Sequence, residues 1–110
     1  MNWTTIDSPN DITLINERSA ERPVMILKHS TTCPISSMAK RRLERDWDID
    51  AKQLEPYYLD LLRHRPISNL IAEEYGVRHE SPQVLVIENG KCVYHTSHLD
   101  ISVDGLKGVA

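Results

Sequence analysis

The apolar positions of this chain fall into short unbroken runs and longer stretches at helical spacing, an alternation that predicts strands and helices in turn. Val24-Met25-Ile26-Leu27, inside the segment Pro23–His29, predicts a strand buried on both faces, as a central parallel strand is. From Pro34 onward Ile35, Met38, Ala39, Leu43 and Trp47 recur at helical spacing and leave Lys40, Arg41 and Arg45 toward water, so a helix packing on the sheet is expected. Before these, Trp3–Ile6 reads as a short edge strand. Ser8-Pro9-Asn10-Asp11 then offers an N-cap, a proline at the first helical position and an acid three residues after the cap, opening a helix to about Ala20. After them, Tyr57–Leu61 predicts a strand and Pro66–Tyr75 a helix with Ile67, Leu70 and Ile71 on one face and Gly76 as its stop. Val84–Ile87 and Cys92–Thr96 flank Asn89-Gly90, which tolerates the positive φ angles of a tight hairpin. The tail Asp100–Ala110 predicts a last short helix through Ile101, Leu106 and Val109, against which Gly105 and Gly108 count. The expected fold is α/β, with a mixed sheet covered by helices on both faces.

A length of 110 residues with 40% apolar content suits one domain over residues 1–110. The net charge of −3 is mild and mixed in sign, which argues against a broad nucleic-acid surface. Neither the start Met1-Asn2-Trp3-Thr4-Thr5-Ile6-Asp7 nor any apolar run reads as a secretory or membrane-spanning segment, so the expectation is a soluble, cytoplasmic protein. In that compartment two cysteines are normally reduced, which favours catalysis or redox sensing over a structural disulfide.

Candidate chemistry gathers at Lys28-His29-Ser30-Thr31-Thr32-Cys33-Pro34-Ile35-Ser36, where a strand ends and a helix begins. Cys33 is expected as N-cap and Pro34 as the first helical residue, where a proline sacrifices no hydrogen bond. The N–H groups of Ile35 and Ser36 and the positive end of the helix dipole then favour a thiolate at Cys33. The competing reading of Cys33 is an inert buried side chain. Ser36 has two readings, a catalytic group or a helix-start residue whose hydroxyl faces the sulfur or solvent. Cys92, two residues past the hairpin turn and opposite Ile87, is expected far from Cys33 and as packing. Cys92-x-x-His95-x-x-His98 resembles a metal spacing, but residues three apart on a strand point to opposite faces, so no metal site is expected. His29 is a candidate to support the thiolate when protonated, and Lys40-Arg41-Arg42 and Arg63-His64-Arg65 to attract acidic groups, beside the simpler reading of each as structural or solvated.

The β-α-β-α-β-β-α order with a cysteine opening the second helix resembles the thioredoxin fold. Thr32-Cys33-Pro34-Ile35-Ser36, with Ser81-Pro82-Gln83 and the Tyr94–His98 stretch, resembles the monothiol bacilliredoxins over nearly the whole chain. The resemblance implies a thiol–disulfide oxidoreductase that removes the small thiol bacillithiol from protein mixed disulfides, with Cys33 as nucleophile becoming bacillithiolated. It implies substrate contacts at Thr32, Pro34, Ile35, Ser36, Ser81 and Pro82, bacillithiol as co-substrate with no bound cofactor, and bacillithiolated proteins as partners. It also implies a cis peptide before Pro82, where the residues alone allow an ordinary trans proline opening an edge strand. Ser36 replaces the resolving cysteine of dithiol relatives. Two other functions stay open at this point. One is an iron–sulfur carrier of the monothiol-glutaredoxin type, although its Cys-Gly-Phe-Ser and Gly-Gly-x-Asp segments are missing, with Ser97-His98-Leu99-Asp100 in place of the latter. The other is a noncatalytic thioredoxin-like binding module.

Overall fold

The four-residue run Val24–Leu27 is apolar throughout because two separate cores claim it. In the computed structural model, which describes residues 1–109, Val24 and Ile26 face one core, and Met25 and Leu27 the other. The chain runs β1 (Thr4–Thr5), α1 (Asn10–Ser19), β2 (Val24–His29), α2 (Pro34–Asp46), β3 (Glu55–Asp60), α3 (Arg65–Tyr75), β4 (Gln83–Glu88), β5 (Lys91–Ser97), a 3-10 turn (His98–Asp100) and α4 (Val103–Lys107). The sheet order is β1-β3-β2-β4-β5, with β1, β3 and β2 mutually parallel and β4 antiparallel to both its neighbours, β2 and β5. Ile12 and Ile15 of α1 and Ile67 and Ile71 of α3 meet Val24, Ile26, Leu85 and Ile87 on one face. Ala39 and Leu43 of α2 and Val103 and Leu106 of α4 meet Met25, Leu27, Val84 and Val86 on the other.

Most expected elements are found, with ends moved by a residue or two. At the start of α1 the Asp11 carboxylate accepts the N–H groups of Asp7 and Ser8, at 2.9 and 3.1 Å, so the acid after the cap does the capping and the Ser8 side chain does not. Gly76 ends α3 at φ 65°, and Asn89 and Gly90 turn the hairpin at φ 52° and 75°. Ser19 holds that turn, accepting the Asn89 N–H at its carbonyl and the Gly90 N–H at its hydroxyl, both at 2.9 Å. The tail helix is confined to Val103–Lys107, and Ala110, the end of the expected tail segment, lies outside the described residues.

Three apolar residues assigned to packing faces are instead exposed: Ile35 (44%), Met38 (56%) and Leu70 (40%). The buried stripe of α2 is Ser36, Ala39 and Leu43, and at about 100° per residue Ile35 and Met38 lie off that line. In α3, Ser68 takes the inward place beside Ile67 and Ile71. Conversely Lys28 and His29, at the polar end of the β2 segment, are buried, because helices cover the sheet to its end.

Candidate active site

The strand that the two cores hold so firmly delivers Cys33 to the sheet end. From His29 the chain turns through Ser30–Thr32, closed by the Cys33 N–H on the Ser30 carbonyl at 3.2 Å, and enters α2. Cys33 is the N-cap residue in extended conformation (φ −98°, ψ 116°), with Pro34 in the first turn and the Ser37 N–H on the Cys33 carbonyl at 3.0 Å. Its side chain is half-buried, and Thr32, Pro34 and Ile35 around it are exposed. That excludes the inert, fully buried cysteine. The cap hydrogen bonds expected from Ile35 and Ser36 to the sulfur are not made. A thiol sulfur is a weak acceptor, and Pro34 has no N–H to offer at the first position.

Ser36 stands in the first turn of α2, as its helix-start reading expects, but its hydroxyl is not turned to solvent. It is fully buried; its Oγ accepts the Ser30 N–H at 3.0 Å and lies 2.6 Å from His29 Nδ1. The hydroxyl therefore faces the Ser30 backbone and the His29 ring and not solvent, and Ser36 stands behind the loop. Its partner His29 is also buried, with its ring 5.7 Å from that of Tyr58. Burial, then the charge of Lys40, lowers the His29 pKa from 6.5 and keeps the ring neutral. That lowering disfavours a protonated His29 beside Cys33 at neutral pH. Ser36 and His29 instead form a neutral bracket that fixes where the strand ends and the helix starts.

Ser81-Pro82 lies at the same end of the sheet, since Gln83 opens β4 directly opposite Lys28 of β2. The peptide before Pro82 is cis. The Pro82 carbonyl accepts the His98 N–H at 3.0 Å, joining the proline to the turn after β5; Ser81 is half-buried and Pro82 buried. Cys92 pairs opposite Ile87 at the far, hairpin end, packs on the first core and donates its thiol to the Tyr94 carbonyl at 3.3 Å. Burial raises its pKa. Both cysteines are free.

One polar cluster under this end of the sheet was missed. Lys28 is fully buried on the face opposite His29, where its Nζ donates to the Ser68 carbonyl at 3.2 Å and lies 3.4 Å from His79 Nδ1. Ser68 Oγ is 3.1 Å from the same nitrogen. Burial first, and Arg65 second, pull the Lys28 pKa from 10.5 to about 8. His79 belongs to the segment running into Pro82, so the cluster braces that segment against β2 and α3. The available signal was a lysine inside a strand that is otherwise apolar, but its partners are far away in sequence. On the other face a cavity of about 360 Å³ is lined by His29, Ser37, Lys40, Arg41 and Glu44. There Lys40 bonds Glu44 at 2.9 Å and lies over the rings of Trp3 and Tyr58. Among the described residues no group of three or more His, Cys, Asp or Glu is placed to hold a metal ion, and no helix is long and apolar enough to cross a membrane.

The architecture superimposes on solved thioredoxins. Thioredoxin from Malassezia sympodialis matches with a TM-score of 0.72 at 20% identity, covering 97% of this chain and 86% of that one. Thioredoxin from Fasciola hepatica matches with 0.72 at 15%, covering 96% and 94%. A third structure, described as a candidate oxidoreductase with a thioredoxin fold, is nearer in sequence, at 33% identity and a TM-score of 0.80 over 96% of this chain and 91% of that one. With Cys33 at the helix mouth, the chain falls among the thioredoxin-fold thiol–disulfide oxidoreductases. Within them the family described as monothiol bacilliredoxin BrxC matches residues 4–106, and the chain belongs to that family.

Proposed function

We propose that this protein removes bacillithiol from mixed disulfides on client proteins, in the cytoplasm, with Cys33 as the nucleophile and bacillithiol as the co-substrate. The Cys33 thiolate attacks the bacillithiol sulfur, and the bond from that sulfur to the client sulfur breaks. The client leaves as a thiolate and takes a proton from solvent, while a new disulfide joins Cys33 to bacillithiol. One disulfide replaces another, so no oxidant or reductant is consumed in this step.

The observation that carries the reading is the state of Ser36. In the first turn of α2, at the place of a resolving cysteine, stands a fully buried hydroxyl bonded to Ser30 and His29. Cys92 lies at the other end of the sheet. The adduct on Cys33 therefore has no internal thiol to release it and persists until a second external thiol attacks. Exposed Thr32, Pro34 and Ile35 flank the sulfur and, with the Ser81–Pro82 segment, form the surface on which the client chain would lie.

Incubation with a bacillithiolated client, followed by intact-mass analysis, tests this. The expected result is a bacillithiol adduct on Cys33 and its loss from the client. Retention of bacillithiol on the client, or equal transfer from a glutathionylated client, would count against the assigned co-substrate.

A further inference from the structure

The second half of α2 carries an arginine face that the exchange chemistry does not use. Four of the chain's 13 lysines and arginines, Lys40, Arg41, Arg42 and Arg45, fall within six consecutive residues, although the net charge is −3. Met38, Arg41, Arg42 and Arg45 line a cleft of about 360 Å³. Of the nearby carboxylates, Glu44 is bonded to Lys40, and Asp46 to Arg45 through two contacts at 2.8 and 3.0 Å. Among the described residues neither Arg41 nor Arg42 has a carboxylate within ion-pair distance, and the buried Nε of Arg42 has no hydrogen-bond partner. Exposed Ile35 and Met38 continue the face toward Cys33, and the turn carrying Leu99, 70% exposed, packs on the same helix.

We propose that this face docks an acidic segment of the client, a reading that rests on the de-bacillithiolation function. Arg41 and Arg42 stand eight and nine residues beyond Cys33, a rise of roughly 12 to 14 Å along the helix. An extended client chain covers that distance in about four residues. The occupant is therefore a client whose disulfide-linked cysteine is followed or preceded, about four to five residues away, by aspartate or glutamate. A guanidinium pairs a carboxylate through two parallel hydrogen bonds, and among the described residues no carboxylate already occupies Arg41 or Arg42. The apolar rim of Ile35 and Met38 covers the intervening client residues. Charge attraction of this kind acts mainly on the rate of encounter and falls with salt.

The test uses two synthetic peptides, each bacillithiolated on its single cysteine, one with glutamates and one with glutamines at the fourth and fifth positions on either side. Adduct formation on Cys33 is followed by mass at about 20 mM and about 200 mM salt. The acidic peptide is expected to react about tenfold faster at the lower salt, with most of that advantage lost at the higher salt. Arg41→Gln/Arg42→Gln should cut the advantage to about twofold or less while leaving the glutamine peptide's rate unchanged; Arg45→Gln, at a well-exposed position, should cut it partially. Equal rates for the two peptides on the parent protein, or an advantage that survives the double substitution, would overturn the docking face and leave the exchange function standing. No transfer from either peptide would overturn the de-bacillithiolation reading itself, and the docking face with it.

Discussion

Replacing Lys28 by methionine should stabilise the protein at neutral pH, and the gain should shrink as the pH rises. The lysine is fully buried with two polar neighbours, the Ser68 carbonyl and His79 Nδ1, and its pKa falls from 10.5 to about 8. At about pH 7 it is charged in both folded and unfolded chains, and keeping it charged inside costs about 3 kcal/mol, the free energy of that shift. Between the two pKa values the unfolded chain binds more protons than the folded one, so stability rises with pH in that window. By about pH 9.5 the parent should have recovered about 2 kcal/mol. Methionine fills a similar volume without charge, and His79 keeps Ser68 Oγ at 3.1 Å. Tyr57, Tyr58, Tyr75 and Cys92, whose pKa values are raised mainly by burial, act in the opposite sense above their ordinary values. They are common to both proteins and cancel in the difference. Urea unfolding of parent and Lys28→Met, followed through Trp3 and Trp47 fluorescence, gives that difference at each pH. A gap that stays constant within about 0.5 kcal/mol from pH 7 to 9.5 would refute a charged, buried Lys28.

Four further outcomes follow from the site. Ser36→Ala leaves the Ser30 N–H and His29 Nδ1 buried without their partner, so stability should fall by about 1–3 kcal/mol in urea unfolding while adduct formation at Cys33 survives; an unchanged midpoint would refute the bracket. Ser36→Cys supplies a thiol three residues from Cys33, within disulfide reach in a helix, and oxidation should consume both thiols in a free-thiol assay, whereas the parent keeps Cys33 free. Cys33→Ser should abolish bacillithiol transfer, and Cys92→Ser should leave its rate within about twofold, as measured by intact mass. His29 and His79 have lowered pKa values, chiefly through burial, so below about pH 6.5 the unfolded chain binds more protons and stability should fall as pH falls; His29→Gln should flatten part of that slope in thermal melts.

The site was legible in the sequence where it depends on local backbone preference. Cys33 before Pro34 announces a helix start, and an apolar run ending at His29 announces the strand before it; both stand where expected. Asn89-Gly90 placed the hairpin, and with it the register that sets Cys92 opposite Ile87 and away from Cys33. The outward or inward sense of individual side chains was less legible. Ile35 and Met38 satisfy a helical period as well as Ser36 does, yet the helix is rolled so that the serine faces in and the two apolar residues face out. Periodicity counts apolar residues, and it had no reason to choose a hydroxyl for the core until a histidine was there to receive it.

Local pattern by itself determined the order of strands and helices, the turn residues, and a cysteine at a helix mouth without a second thiol in the same turn, since each rests on dihedral preference and on spacing within a few residues. Tertiary structure alone decided that Lys28 lies beneath Ser68 and His79, 40 and 51 residues away, that Ser36 closes on His29 behind the loop, and that Arg41 and Arg42 meet no carboxylate among the described residues. The physical reason is that the cost of burying a polar group, or the freedom of an exposed one, depends on which distant atoms packing brings within hydrogen-bond reach, and no spacing along the chain encodes those neighbours.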